Sequence, residues 1–255
     1  MSEVLLTETA DGVRTLTLNR PAARNALSSE LMGRLVEELH AAEEDADVSA
    51  VVLTGTDPAF CAGLDLREAG ASGLPSGGVI DPKASVWWVL YGMNTPVIGA
   101  VNGAAITGGL ELVLQCTFLV ASERAVFGDT HARVGVHPGG GLSGLLPQAV
   151  GLRKAREMSL TGNFVDAAEA HRLGLVNHVV PHDELLPTAL RLARDIAGGD
   201  PRTVAALNET YRDVAALPLG EGLSLERSRF TDWEYNPADI ETRRRTVAER
   251  GRSQL

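Results

Sequence analysis

Apolar and polar positions along this chain fall into three recurring patterns. Near the start, VLLTETADGVRTLTLNR alternates apolar and polar residues on either side of Asp11-Gly12, and such a link between alternating segments predicts a β-hairpin. Next, Leu31, Leu35, Val36 and Leu39 recur at helical spacing through LMGRLVEELHAAEEDAD, with Ser28 placed to cap the first turn. An amphipathic surface helix is predicted there. The third pattern is a short apolar run, a glycine bend and then a helix. It occurs at AVVLTG, residues 50–55, running into TDPAFCAGLDLRE, and again in NTPVIGAVNGAAITGGLELVLQC, residues 94–116. Short continuous apolar runs predict strands covered on both faces.

The second of these passages organises the rest. Gly108 and Gly109 open an apolar helix whose unpaired first-turn N–H groups face the end of the preceding strand. One carboxylate, Glu111, lies there among Leu110, Leu112, Val113 and Leu114. Two readings stay open: a first-turn Glu favoured by the helix dipole, or a buried carboxylate kept for its chemistry.

Downstream, AGASGLPSGGVIDP (residues 69–82) is rich in Gly, Ser and Pro and predicts a functional surface loop. The adjacent Trp87 and Trp88 cannot share one helix face, so one packs inward while the other lines a pocket or meets a partner, unless both pack in the core. FLVAS and AVFGD read as short strands, HPGGGLSGLLPQAVG as a glycine-rich entry into a helix, and VNHVV as a last strand. From Pro181 onward the pattern is helical only. The expectation is an α/β core over residues 1–190 followed by an all-α segment over 191–255, whose apolar stripes suit docking on a sister subunit.

Composition narrows the function classes. A formal charge of −10 argues against a nucleic-acid binder or a protein that sits on anionic membranes. Two cysteines, Cys61 and Cys116, are too few for a disulfide framework and share no metal-ligand spacing with the six histidines. The N-terminal residues lack an export pattern, and no apolar run is long enough to span a bilayer. A cytoplasmic protein without membrane insertion is expected.

Four segments in order and spacing, LNRPAARNAL (18–27), VVLTGTDPAFCAGLDL (51–66), PVIGAVNGAAITGGLEL (96–112) and FGDTHARVGVHPGGG (127–141), carry a resemblance. With them the chain resembles the crotonase superfamily, the enoyl-CoA hydratase and isomerase group, over nearly its whole length. The resemblance implies an α/β spiral of ββα repeats with a helical C-terminal trimerisation domain, assembled as a homotrimer or homohexamer. It implies an acyl-CoA thioester as substrate, with coenzyme A present only as part of that substrate and with no metal or redox cofactor.

It also implies roles for residues. The backbone N–H groups of Leu64 and Gly108 correspond to an oxyanion hole on the thioester carbonyl, where one donor is typically worth about 3–4 kcal/mol of transition-state stabilisation. Glu111 matches the glutamate that activates water. The second catalytic glutamate is replaced by His131, a competent acid or base near neutral pH. Coenzyme A contacts are expected through the backbone around Arg24, Asn25 and Ala26, around Ala62, Gly63, Asp65 and Leu66, and at Gly109, with Arg24 and Arg67 as the basic candidates for the phosphates. Leu74, Trp87, Trp88 and Phe164 are expected to close the acyl pocket. These residues together read as an enoyl-CoA hydratase forming a 3-hydroxyacyl-CoA. Two rivals are another acyl-CoA reaction of the superfamily, such as isomerisation, hydrolysis or decarboxylation, and acyl-CoA binding without turnover.

Overall fold

The computed structural model describes residues 3–72 and 84–253. The hairpin forms where the alternation predicts it: β1 (Leu5–Ala10) and β2 (Val13–Leu18) pair antiparallel, joined by Asp11 and Gly12 at φ of 52° and 74°. Positive φ at both link residues matches the twist of the flanking strands. Helix α1 (Ser29–Glu44) follows, with Ser28 Oγ accepting from the Leu31 N–H, a cap generally worth ~1 kcal/mol. Its buried face is Leu31, Leu35, Leu39 and Ala42.

The chain then traces one path three times. β3 (Ala50–Gly55), β4 (Ala59–Cys61) and α2 (Leu66–Ser72) make the first passage. After α3 (Val86–Gly92), β5 (Val97–Val101), β6 (Ala104–Ile106) and α4 (Gly108–Gln115) make the second. β7 (Phe118–Ser122), β8 (Val126–Gly128) and the one-turn α5 (His131–Val134) make the third. In each passage the longer strand enters a six-stranded sheet of order β1-β2-β3-β5-β7-β10, where β10 is His178–Val180. The short strand enters a four-stranded sheet of order β4-β6-β8-β9, where β9 is Val165–Asp166.

Because β4, β6 and β8 run parallel, they end at one edge of the small sheet. Immediately beyond them stand Ala62-Gly63-Leu64, Thr107-Gly108 and Asp129-Thr130-His131. The spiral therefore brings three distant bends together.

Both faces of the larger sheet are covered, as the apolar runs require. Val51, Leu53, Val97 and Val101 join one core with α1, while Ala50, Val52, Ile98 and Ala100 join a second with Leu185, Ala189 and Ala193. Those last three lie on α9 (Leu185–Ala197), which follows α6 (Leu142–Val150), α7 (Leu152–Thr161) and α8 (Ala167–Leu173).

The described residues divide into two compact units, one ending at Asn208 and the other starting at Glu209. This division differs from the expected one at 190/191, which would cut α9 in two. The physical reason is the burial of Ala189 and Ala193 on the sheet: α9 belongs to the α/β unit although its own pattern is helical. The division falls within α10 (Pro201–Ala215), and α11 (Leu219–Thr231) and α12 (Pro237–Ser253) complete the second unit. Within that unit Arg229 pairs with Glu209 and Asp213, while Tyr211, Leu219 and Phe230 are exposed. Among the described residues no helix is long and apolar enough to cross a membrane.

Candidate active site

Glu111 lies in the first turn of α4, its N–H donating to Thr107 O at 2.9 Å, yet its residue is only 3% exposed. The glutamate is thus both in the first turn of a helix and buried. Oε1 accepts from the Gly140 N–H at 2.7 Å, and Oε2 stands 3.7 Å from His131 Nε2. Burial dominates and pushes the carboxyl above its ordinary value of 4.5, against the Gly140 and Leu142 N–H groups and the His131 charge. Asp129 reinforces the upward push.

His131 begins α5 and is itself buried. Asp129 Oδ1 accepts from the His131 backbone N–H at 3.0 Å and lies 2.6 Å from Nδ1. Burial alone would raise the Asp129 carboxyl, but hydrogen bonds from His131 and Ser159 outweigh it and hold the group below 3.8. An ionised carboxylate only accepts, so the Nδ1 proton lies toward Asp129 and Nε2 is the working end of the ring. Asp129, His131 and Glu111 form a line in which the imidazole faces one carboxylate with each nitrogen.

The other two bends meet beside this line. Gly63 has φ of 95°, and a Cβ there would lie 2.9 Å from Ile106 O and 3.3 Å from Gly108 N. Leu64 is fixed by its neighbours: Leu27 N donates to Gly63 O at 2.8 Å and Asp65 N to Leu27 O at 3.0 Å. Neither the Leu64 nor the Gly108 N–H donates to a backbone acceptor in a turn, loop or cap among the described residues. Trp87 Nε1 donates to Gly108 O at 3.1 Å, and its ring borders Gly140. Thr107, just before Gly108, sits at φ 54° and ψ −110°, a region that a β-branched residue occupies at a cost of roughly 1–3 kcal/mol.

Five of the nine residues expected around coenzyme A, Arg24, Ala26, Asp65, Leu66 and Arg67, line a groove of about 640 Å³, while Asn25, Ala62, Gly63 and Gly109 are not in its lining. Arg20 braces it, pairing with Asp65 at 2.9 Å and donating to Ala26 O. Ala62 N donates to Arg24 O at 3.0 Å, which holds the two sides together. The side chain of Asn25 holds the loop whose backbone is expected to meet coenzyme A. It is fully buried, its Nδ2 donates to Thr56 O and Ala59 O, and its Oδ1 accepts from Arg20 N, so the side chain is committed to holding the loop. Gly109 also acts by packing: a Cβ there would meet Cys61 O at 2.2 Å, so only glycine lets α4 approach β4 this closely.

Of the four residues expected in an acyl pocket, three are among the described residues. Trp87 is buried beside Gly108, whereas Trp88 is 38% exposed and stacks edge-on against Tyr91. Two tryptophans in succession on a helix point in different directions, and only one can face the site. Phe164 is exposed and lies over Gly128, and Leu74 falls outside the described residues, as does most of the loop at 69–82. Sequence reasoning did not find the contributions of Gly140 and Thr107. Gly140 stands far from Glu111 in the chain, and no local periodicity reports a backbone N–H aimed across the fold. Both cysteine thiols are pushed up to about 12 by burial and are poor nucleophiles.

A buried acid–base pair beside two main-chain bends is an arrangement able to move protons next to a carbonyl held there. The enoyl-CoA hydratase/isomerase family model matches residues 8–253, and the chain belongs to that family. It is 42% identical over 228 residues to a probable enoyl-CoA hydratase of Rhizobium meliloti, covering 89% of this chain and 88% of that protein. Against the 2,3-dehydroadipyl-CoA hydratase of Escherichia coli the identity is 40% over 231 residues, covering 91% and 90%. Among solved structures, an enoyl-CoA hydratase from Mycobacterium tuberculosis matches with 51% identity and a TM-score of 0.77, covering 88% of this chain and 96% of that one. One from Bacillus anthracis matches with 31% identity and a TM-score of 0.88, covering 97% of both. The fold is the crotonase fold of these hydratases, an α/β core followed by a helical region.

Proposed function

We propose that the protein hydrates a 2-trans-enoyl-CoA to a 3-hydroxyacyl-CoA, and that the observation carrying this reading is the buried Glu111–His131 pair beside the Leu64 and Gly108 bends. In this reading the thioester oxygen sits between the N–H groups of Leu64 and Gly108, which stabilise enolate charge as it develops. Glu111 holds a water through its ionised carboxylate and takes a proton as the water oxygen bonds to C3. Protonated His131 gives its Nε2 proton to C2, and the proton on Glu111 then passes to His131 to restore the starting state. Water is added whole, one hydroxyl to C3 and one hydrogen to C2. No metal or redox cofactor takes part in this scheme, because no electrons are exchanged.

Arg24 and Arg67, exposed at the groove, are assigned to the phosphates of coenzyme A, and Trp87 to the wall beside the reacting carbons. The exposed Tyr211, Leu219 and Phe230 support reading the helical unit as the contact surface of a homotrimer or homohexamer. Two unpaired cysteines are in keeping with a reducing cytoplasmic compartment.

The test is loss of conjugated enoyl-thioester absorbance across a series of chain lengths, for wild type, Glu111→Gln and His131→Ala, each first shown to fold. Turnover abolished in the first variant and strongly reduced in the second is the expected result. A second reading has one observation in its favour: Asp129 behind His131 is also how a base is oriented to attack a thioester with water. Release of free coenzyme A thiol in place of absorbance loss would select hydrolysis.

A further inference from the structure

We infer that Thr107 and Thr130 form a clasp that positions the Gly108 N–H relative to the Glu111–His131 pair, making Thr107 a positioning residue of the reaction. The inference rests on the oxyanion-hole reading above. Every polar group of Thr107 is engaged. Its N–H donates to Gly128 O at 2.9 Å, its C=O accepts from the Glu111 N–H at 2.9 Å, and its Oγ1 accepts from Thr130 N at 3.1 Å and lies 2.6 Å from Thr130 Oγ1. In a trans peptide the C=O and the following N–H point in opposite directions. Binding the Thr107 C=O into the first turn of α4 therefore turns the Gly108 N–H away from the helix, toward the Gly63 bend.

That orientation requires ψ of −110° at Thr107, in a conformation disfavoured for a β-branched residue, and such a conformation persists only where surrounding bonds over-determine it. The Thr130 bonds supply this. Thr130 lies between Asp129 and His131, so one hydroxyl pair ties the bend that carries the thioester donor to the bend that carries the acid–base group. The two features must act on adjacent atoms of one substrate, and the clasp fixes the distance between them.

The experiment compares Thr107→Val, Thr107→Ser, Thr130→Val and the double valine variant with wild type, after thermal melting shows each to be folded. Two readouts are taken: kcat and KM for enoyl-CoA hydration, and the absorbance shift of bound cinnamoyl-CoA, whose spectrum moves to longer wavelength as its carbonyl is polarised. Each valine variant is expected to lose about ten- to a hundredfold in kcat, the scale of a misplaced catalytic group, with KM changed less than about threefold and the shift reduced. Thr107→Ser should restore both, and the double variant should be little worse than either single one. Folded valine variants with wild-type kcat and shift would overturn the clasp. Wild-type protein that binds the thioester without any shift would overturn the oxyanion-hole reading and the clasp with it. A wild-type shift without hydration would remove only the hydratase assignment, and the spectral comparison would still decide the clasp.

Discussion

His131 Nε2 faces Glu111 Oε2 across 3.7 Å, while Asp129 Oδ1 holds the other ring nitrogen at 2.6 Å. The imidazole is thus wedged between two carboxylates, and a carboxylate could not replace it there without penalty. His131→Glu would set a third negative charge beside Asp129 and Glu111, so one carboxyl would have to keep its proton. The single variant is expected to be nearly inactive, and the double variant Asp129→Asn with His131→Glu to recover at least tenfold in kcat, read by enoyl-thioester absorbance.

The pH profile follows from the burial of Glu111. Its carboxyl is held above 4.5, chiefly by desolvation, and the base must be ionised to accept a proton from water. The rate should therefore fall with decreasing pH at a higher pH than an ordinary glutamate would give. Because the His131 charge pulls the Glu111 value down, His131→Ala should move the acid limb of kcat/KM to still higher pH.

Asp129 carries the opposite sign. Its folded value is below 3.8, so the ionised form favours the fold. The stability it contributes is complete above the unfolded value and is lost as pH falls through the lowered folded one. Asp129→Asn should lower Tm at neutral pH, with the gap to wild type closing as the pH drops below 3.8. Thermal melts across that range check this.

Two glycine replacements separate packing from helix propensity. At Gly109 an added Cβ meets Cys61 O at 2.2 Å, and Gly109→Ala should destabilise by about 1–3 kcal/mol, or prevent folding, through overpacking. At Gly33, inside α1, nothing lies within 4 Å of the new Cβ, and Gly33→Ala should stabilise by about 0.5–1 kcal/mol. Denaturant titration of both variants reads the difference.

The hairpin at Asp11-Gly12, the capped helix after Ser28, the covered strands at 50–55 and 97–101 and the glycine bends were all legible, because each is specified by neighbours within a few residues. The threefold path was legible only through the family resemblance, which implies a spiral of ββα repeats, since it repeats a course of the backbone with different residues each time. Sequence placed Glu111 and His131 in one site through family resemblance, but their distance depends on β6 and β8 lying side by side. The end of the α/β unit was misplaced for a related reason: the small residues Ala189 and Ala193 on α9 carry no strand pattern, yet they let the helix lie close on the sheet. Asn25 was expected to contribute through its backbone, and the full burial of its side chain shows how a polar group in a motif can serve the loop that bears the motif.

The parallel edge formed by β4, β6 and β8 has a consequence for how such a protein can change. Its first two bends face the site with main-chain groups, the Thr107 hydroxyl being turned to Thr130 instead. The third offers side chains. Exchanging Asp129 and His131 while keeping Thr130 would change the proton inventory of the site and leave the Thr107–Thr130 contact in place. Selection could therefore try new reactions at one short seam without first having to invent a new fold.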